Sequence, residues 1–121
     1  MAGQKTVTID PGTPCLTLIN VYEVEPENQA ELMRALSEAT EDTIRHQPGF
    51  MSVCIHGGLD GRKVVNYAQW TSKEHFESFM KKPETQKQLK RFAGLAKSIS
   101  PNLYTVNAVH AESRKGAEAA R

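Results

Sequence analysis

The chain has 121 residues and a formal net charge of +1 at pH 7, with 39% apolar and 24% charged residues. The length allows one domain, placed at residues 1–121, and the composition is that of an ordinary soluble globular protein. The small net charge gives no reason to expect nucleic acid or an anionic membrane as a partner. No apolar run approaches the ~18 residues of a membrane span, and residues 1–10 lack an apolar signal core. We therefore expect a cytoplasmic protein.

The first predicted elements are a strand and a long helix, which follow a polar segment at residues 1–14. Residues 15–24 are rich in β-branched and aromatic side chains, which predicts a strand. Pro26 stands where a helix can begin, and apolar residues recur at helical spacing over residues 27–45. The Gln-Pro-Gly segment at residues 47–49 then ends this helix.

A hairpin is predicted next. Two strand-like segments, residues 50–56 and 63–70, flank a loop that contains an Asp-Gly turn signal. Thr71 and Glu74 have the spacing of a capping box, which predicts that a second helix begins there.

The last part of the chain is predicted to contain a broken helix and a strand. Pro83 should break or kink the second helix, after which a further apolar helical segment follows. A Ser-Pro-Asn turn at residues 100–102 precedes a fourth strand at residues 103–110. Because residues 111–121 form a polar, alanine-rich tail, we expect the core to span residues 15–110.

The predicted order of elements is β-α-β-β-α-β, without an internal repeat. Given short connections and right-handed crossovers, this order predicts a ferredoxin-like α+β sandwich. In this fold the helices cover one face of a four-stranded antiparallel sheet. The other face stays uncovered although alternation makes both faces largely apolar. We therefore expect a homodimer that pairs through this sheet face into a dimeric α+β barrel. The residues expected to face the second sheet are Ile19, Val21, Val53, Ile55, Val65 and Tyr67.

Two asparagines stand out because asparagine is depleted in strands. Asn20 and Asn66 lie in strands that are neighbours in this fold, and alternation places both on the helix side of the sheet. In a structural interpretation, each amide bonds to a nearby backbone group or a buried water, and a single sequence favours this interpretation. In a functional interpretation, both amides point into a ligand cavity and orient a polar oxygen of the ligand.

Aromatic and histidine side chains are assigned to the same region. Trp70 closes the third strand, where it either belongs to the core or forms a pocket wall for a flat ring and donates its N–H. Tyr22 and His56 are placed on the same side of the sheet, and His75 lies on the following helix. The four histidines have no metal-ligand spacing, so no metal site is expected.

Familiar cofactor motifs are missing from the sequence. It contains no phosphate loop, nucleophile elbow, dinucleotide fingerprint or flavin motif. Cys15 and Cys54 form no CxxC pair and are expected to be free thiols. If the protein is a redox enzyme, it therefore works without a bound cofactor or uses its substrate in that role.

Residues 47–76 carry a resemblance to a known family. They contain Pro-Gly-Phe, then Asp-Gly, then the motif VVNYAQW that ends at Trp70, and then Thr-Ser-Lys-Glu-His-Phe. This series resembles the antibiotic biosynthesis monooxygenase family, above all its cofactor-independent members that oxidise anthrones to quinones. The resemblance implies a homodimer in which each subunit holds its own cavity between sheet and helices. It also implies that Asn66 and Trp70 line that cavity.

The sequence departs from the family pattern at several positions. Some anthrone-oxidising relatives carry a tyrosine where Phe76 stands here, and an arginine for which the nearest candidates are Lys90 and Arg91. Haem-degrading relatives share the strand asparagine, which is matched by Asn20. They also need a second tryptophan, where this chain has Phe79, and an axial histidine that this chain lacks. Haem degradation is therefore not expected.

The resulting hypothesis is oxidation of an electron-rich aromatic substrate, such as an anthrone or hydroquinone, by dioxygen without flavin, haem or metal. Asn66, Trp70 and Asn20 are the predicted catalytic residues, because a developing oxyanion needs hydrogen-bond donors. The base is His56, His75 or a bound water. The predicted pocket residues are Tyr22, His56, His75, Phe76 and Phe79. Two alternatives stay open: a non-catalytic small-molecule-binding or stress-response barrel, and an isomerase or cyclase acting on a similar substrate.

Overall fold

The computed structural model describes residues 5–112, which contain four strands, three α-helices and a short 3-10 turn. In chain order these are β1 (Leu16–Glu23), α1 (Pro26–Asp42), the 3-10 turn (Ile44–His46), β2 (Phe50–Gly57), β3 (Lys63–Trp70), α2 (Lys73–Met80), α3 (Pro83–Ala93) and β4 (Ser98–Tyr104). No helix in this part of the chain is long and apolar enough to cross a membrane.

The core lies between the sheet and the helices. α1 starts with Pro26, whose fixed φ suits the first helical turn and whose missing N–H costs no helical hydrogen bond there. Every third or fourth residue of α1 is buried, so its apolar side chains form one stripe against the sheet. This stripe consists of Leu32, Ala35, Leu36 and Ala39. It packs with Tyr22 of β1, Val24 just after β1, Val64 of β3 and Phe92 of α3.

The sheet has the strand order β2-β3-β1-β4, and each neighbouring pair is antiparallel. This arrangement confirms the predicted ferredoxin-like α+β fold. β1 and β3 lie in the middle of the sheet, and their register sets Asn20 directly opposite Asn66. The fold therefore carries both asparagines to the centre of the helix-covered face, as the alternation of side chains predicts.

β2 contains an irregularity that the sequence pattern does not reveal. Phe50 pairs with Trp70, but Ser52 pairs with Gln69, so Met51 is an extra residue between two regular pairs. Such a β-bulge leaves one residue unpaired and bends the strand. Because side chains alternate with a period of two, the extra residue moves every later side chain of β2 to the opposite face.

Because of the bulge, three predicted side-chain placements in β2 are wrong. Val53 and Ile55 face the helices instead of a second subunit, since Ile55 pairs with Asn66 and packs against the core. His56 pairs with Val65 and therefore lies on the face away from the helices, not on the helix side. A strand with uninterrupted alternation would have placed all three side chains as predicted.

The second helical region begins one residue later than predicted. Ser72 is the N-cap of α2, and its Oγ accepts a hydrogen bond from the N–H of His75 at 3.1 Å, whereas Thr71 precedes the cap. α2 ends at Met80, and Pro83 occupies the first turn of α3. The predicted break at Pro83 is therefore confirmed.

The last strand lies earlier in the chain than predicted. β4 covers Ser98–Tyr104, so the expected turn at residues 100–102 is part of a strand, and the prediction of residues 103–110 is wrong. β4 is an edge strand, where Pro101 can pair with β1 while its missing N–H causes no loss in the ladder. Residues 105–112 have no regular structure. The rest of the predicted tail lies outside the described residues.

The face away from the helices carries half-buried apolar side chains on the two central strands. We define the outer face by Ile19, Val21, Val65 and Tyr67. The N-terminal segment reaches the same side of the sheet, where Gln69 Nε2 donates to the backbone oxygen of Thr8 at 3.2 Å. The helices pack on the opposite side, so they leave the outer face to other partners.

Candidate active site

A cavity of about 370 Å³ lies between the sheet and the helices. Side chains from β1 and β3 form its floor, and α1, α2 and α3 supply most of its walls. The floor residues are Leu18, Asn20, Tyr22, Asn66, Ala68 and Trp70. The volume falls in the range of small-molecule sites, about 300–1,000 Å³, and a mostly apolar lining with few polar groups is typical of them.

The paired asparagines are the polar centre of the floor. Residues directly opposite each other on antiparallel strands have Cβ atoms about 4.5–5.5 Å apart, so Asn20 and Asn66 can contact the same ligand. The Oδ1 atoms of both side chains are buried and have no hydrogen-bond partner in the described part of the chain. The cavity floor thus contains two buried amide oxygens that no group in residues 5–112 satisfies.

A third amide faces the cavity from the helical wall. Gln88 lies on α3 between the buried residues Thr85 and Phe92, and its Oε1 is also buried without a partner among residues 5–112. Thr17 Oγ1 and Gln47 Oε1 also lack a partner within the described part of the chain, but neither residue lines the cavity. Since an unsatisfied buried acceptor costs about 1–3 kcal/mol, the three amide oxygens favour a ligand that carries O–H or N–H groups.

Tyr22 places a phenol beside the asparagines. It is 2% exposed, and its hydroxyl accepts a hydrogen bond from Asn20 Nδ2 at 3.1 Å. Burial raises the pKa of the Tyr22 phenol to about 12, because a phenolate would lose its hydration. The phenol therefore stays protonated at neutral pH, where it can donate a hydrogen bond but cannot act as a base.

Trp70 forms the aromatic wall. Its ring stacks on Phe79 with centroids 5.0 Å apart, and the edges of Phe50 and Phe76 meet it at 5.9 Å and 6.1 Å. With an exposure of 1%, the indole is locked by these neighbours in one orientation. Such a rigid flat surface suits a planar aromatic ligand.

The two predicted pocket histidines lie outside the cavity lining. His56 is on the outer side of the sheet, as described above. His75 stays at the start of α2, where its Nδ1 lies 2.7 Å from Ser72 Oγ. Its ring also fills the space next to Gly49, where a Cβ would come within 2.3 Å of His75 Cγ. These contacts assign His75 to the junction of β2 and α2.

Few titratable groups line the cavity. Besides Tyr22 they are Glu84 and Lys90, and both of these side chains are exposed. Cys15 and Cys54 are free thiols, as predicted. Within residues 5–112, no group of three or more His, Cys, Asp and Glu side chains could hold a metal ion.

Comparison with known proteins identifies the family. Residues 15–91 match the sequence model of the family described as antibiotic biosynthesis monooxygenase. The chain belongs to this family. The resemblance inferred from the motif around Trp70 is therefore confirmed. Tetracenomycin-F1 monooxygenase of Streptomyces glaucescens is 48% identical over 79 residues, which cover 65% of this chain and 70% of that relative.

Solved structures of antibiotic biosynthesis monooxygenases share the fold. A monooxygenase from the gene ActVA-Orf6 of Streptomyces coelicolor, in complex with nanaomycin D, has a TM-score of 0.75 and 25% identity. The match covers 86% of this chain and 96% of that one. SnoaB, a cofactor-independent oxygenase from Streptomyces nogalater, has a TM-score of 0.70 at 22% identity and covers 82% of this chain and 99% of its own. At that identity the likeness to SnoaB shows the fold alone.

The two positions at which the sequence differs from some anthrone-oxidising relatives are placed differently in the structure. Phe76 lines the cavity and supplies no hydroxyl. Lys90 also lines the cavity, whereas Arg91 forms a surface ion pair with Glu38 at 3.2 Å. Lys90 is therefore the cation at this end of the cavity.

The structure also adds lining residues that sequence reasoning missed. Gln88 and Thr40 reach the cavity from α3 and α1, and Thr40 Oγ1 donates to the Leu36 oxygen at 2.7 Å. A signal for Gln88 was present, since it lies at helical spacing between Thr85 and Phe92, on the stripe that faces the sheet. A polar residue on such a stripe marks either a buried hydrogen bond or a ligand site.

Proposed function

We propose that this protein is a cofactor-independent monooxygenase that oxidises an electron-rich aromatic substrate, of the anthrone or hydroquinone type, with dioxygen. The observation that carries the proposal is one cavity in which Asn66 and Trp70 lie beside Asn20. The similarity to tetracenomycin-F1 monooxygenase, 48% identical over 79 residues, supports the reaction class.

The proposed reaction starts with loss of a proton from the substrate. The resulting electron-rich anion transfers one electron to dioxygen, and the two radicals recombine to a peroxide on the ring carbon. The protonated peroxide then loses water and leaves a quinone carbonyl. One oxygen atom enters the product, the other becomes water, and both hydrogens of an anthrone methylene end in that water.

The residues of the cavity have three tasks in this scheme. Asn66 donates from its amide, and Trp70 from its N–H, to the oxygen on which charge develops. The stacked aromatic wall of Trp70 and Phe79 orients the flat ring. The apolar lining limits the access of water to the reactive intermediates. With His56 and His75 outside the lining, a bound water is the remaining candidate for the base.

We also propose that two copies of the chain pair through the outer face. Its four apolar side chains lie on the central strands β1 and β3, opposite the helix-covered side. A contiguous apolar surface of this kind typically marks an interaction site. Each cavity lies on the helix side of its own sheet, so each subunit would hold a complete cavity.

Oxygen consumption tests the proposed activity. Purified protein without added flavin, haem or metal is incubated with a panel of anthrones and hydroquinones in an oxygen electrode. We expect uptake above the spontaneous rate, with a decrease of about 100-fold in Asn66→Ala, the typical effect of losing one oxyanion donor. Trp70→Phe should also be slower, because it loses the N–H. Asn28→Ala, a change on α1 outside the cavity, is the matched control and should retain full activity.

The outcomes separate the alternatives. Uptake that both cavity variants leave unchanged would contradict the assignment of Asn66 and Trp70. Binding of these aromatic compounds without oxygen uptake would favour the small-molecule-binding barrel. Conversion of the substrate without oxygen uptake would favour an isomerase or cyclase.

A further inference from the structure

Tyr22 is the buried titratable residue of the cavity. Of the lining residues that can ionise, Glu84 and Lys90 are exposed, whereas Tyr22 is 2% exposed. α1, α2, β3 and β4 contribute no titratable side chain to the lining. The phenol therefore makes its hydrogen bonds in a low-dielectric environment, where they are stronger than in water.

Tyr22 is the acceptor in its hydrogen bond with Asn20, so this bond does not use the proton of the Tyr22 hydroxyl. Within residues 5–112, its hydroxyl has one protein partner, Asn20 Nδ2, from which it accepts at 3.1 Å. A phenol hydroxyl also has one proton to donate. Because Asn20 and Tyr22 both line the cavity, a ligand oxygen there can receive this proton in a hydrogen bond.

The register of the sheet brings a second donor within reach. Asn20 lies opposite Asn66, and Tyr22 lies opposite Val64, so Tyr22 and Asn66 are diagonal neighbours on β1 and β3. Diagonal neighbours are about 7–8 Å apart at the backbone, a distance that aromatic side chains can bridge. A phenol and an amide from adjacent strands can thus meet at one substrate oxygen.

We propose that Tyr22 is a catalytic hydrogen-bond donor, whose hydroxyl donates to the substrate oxygen on which negative charge accumulates after deprotonation. Asn20 is then a positioning residue that acts through the Tyr22 hydroxyl. The inference rests on the proposed function, because it concerns the oxyanion formed in that reaction. The ligand class is a phenol- or enol-derived oxyanion on a planar ring.

The environment of the phenol suits this role. Burial raises the pKa of Tyr22 to about 12, so the donor keeps its proton at pH values where an electron-rich phenolic substrate ionises. Preorganised donors in a site with little water stabilise developing charge without the cost of reorienting solvent. Glu84 and Lys90 are exposed, so solvent screens their effect on the substrate oxygen.

The test measures the pKa of a bound ligand and needs no turnover. 2-Hydroxyanthraquinone and the smaller 4-nitrophenol absorb differently as phenol and phenolate, and each is titrated by absorbance in the presence of excess protein. Relative to wild type, Tyr22→Phe should raise the pKa of the bound phenol by about one, which is a ten-fold loss in its ionisation constant. Asn20→Ala should cause a smaller increase, and adding it to Tyr22→Phe should change nothing further. Tyr67→Phe on the outer face is the matched control and should leave the ligand pKa unchanged.

Equal ligand pKa values in wild type and Tyr22→Phe would overturn the inference. This result is distinguishable from failure of the proposed function. If oxygen uptake is present without the pKa difference, the protein is an oxygenase that does not use Tyr22. If the pKa difference is present without oxygen uptake on the substrate panel, Tyr22 is a donor in a protein that does not oxygenate. With an active substrate, Tyr22→Phe should lower kcat about ten-fold or more and leave KM within about two-fold.

Discussion

Individual polar atoms distinguish the cavity from the core beside it. Asn20, Asn66 and Gln88 each keep a buried amide oxygen without a protein partner in the described part of the chain. Atoms of this kind lower the free energy of unfolding, because they lose hydration and gain no hydrogen bond in return. The buried stripe of α1 carries no such atoms and consists of leucine and alanine. Polar groups left unsatisfied in this way are expected at functional sites, where the ligand completes them.

At the scale of single residues, we expect alkaline pH to destabilise the protein through ionisation of Tyr22. Its pKa is raised from 10.0 to about 12 in the folded state. Below pH 10 the phenol is protonated in both states, so its contribution to stability is fully present. Between pH 10 and 12 only the unfolded chain ionises, which favours unfolding by up to about 3 kcal/mol.

Urea unfolding between pH 9 and 12 checks this prediction. Wild type should lose more stability over this window than Tyr22→Phe, which lacks the titrating group. Parallel curves for wild type and Tyr22→Phe would contradict the prediction.

At the scale of elements, the start of β2 is coupled to the start of α2. The Thr71 N–H donates to the Gly49 oxygen at 2.8 Å, and the His75 ring packs on Gly49, which has a φ of 85°. α2 in turn supplies Phe76 and Phe79 to the aromatic wall. The position of this wall therefore depends on a glycine outside the cavity.

Gly49→Ala should destabilise the protein more than Gly61→Ala. Both glycines have positive φ, which costs a residue with a side chain about 1–2 kcal/mol. A Cβ on Gly49 would in addition lie 2.3 Å from His75 Cγ, whereas a Cβ on Gly61 would meet its nearest atom at 3.8 Å. We expect an extra cost of about 1–3 kcal/mol at Gly49, measured by urea unfolding.

His75→Gly provides the control for this prediction, because the close contacts of a Cβ on Gly49 are with His75 Cβ at 2.4 Å as well as with the ring. In that background all these contacts disappear, so Gly49→Ala should cost about as much as Gly61→Ala. If the two glycine replacements lower the free energy of unfolding equally in the wild-type background, the prediction is contradicted, because the His75 side chain then moves away at little cost.

At the same scale, the sequence pattern is sufficient to predict side-chain orientation in some strands but not in others. The strand VVNYAQW alternates without interruption, so the inward placement of Asn66 and Trp70 could be predicted from the residues alone. β2 has the same alternating pattern, but its bulge depends on pairing with β3 and reverses the faces after Met51. β4 was predicted too late in the chain, because Pro101 argues against a strand interior and only the edge position permits it.

At the scale of the whole molecule, the outer face predicts self-association. Val21 lies at its centre on β1, and a lysine there would place a charge against the second sheet. We expect wild type to be a dimer at micromolar concentration and Val21→Lys to be a monomer with unchanged circular dichroism, as measured by light scattering after gel filtration.

Leu59→Lys is the matched control, because Leu59 is fully exposed in the hairpin loop away from the sheet faces. It should remain a dimer. A monomeric wild type, or a Val21→Lys variant that stays dimeric, would contradict pairing through the outer face.

The sequence by itself determined the properties that depend on neighbouring residues. These are the α+β class, the three helices with their break at Pro83, the inward faces of β1 and β3, and the family motif around Asn66 and Trp70. Each follows from local periodicity, turn signals or a contiguous motif, which need no knowledge of distant contacts.

Tertiary structure decided the properties that depend on pairing between distant segments. The bulge at Met51 set which face His56 occupies, and the packing of α3 on the sheet brought Gln88 to the cavity. The hydrogen bond between Asn20 and Tyr22 could be interpreted only from the folded structure, because the helices enclose both residues and remove the phenol from water. Strand register and desolvation are set by the whole fold, and for that reason the hydrogen-bond donor on β1 could be recognised only after the cavity was known.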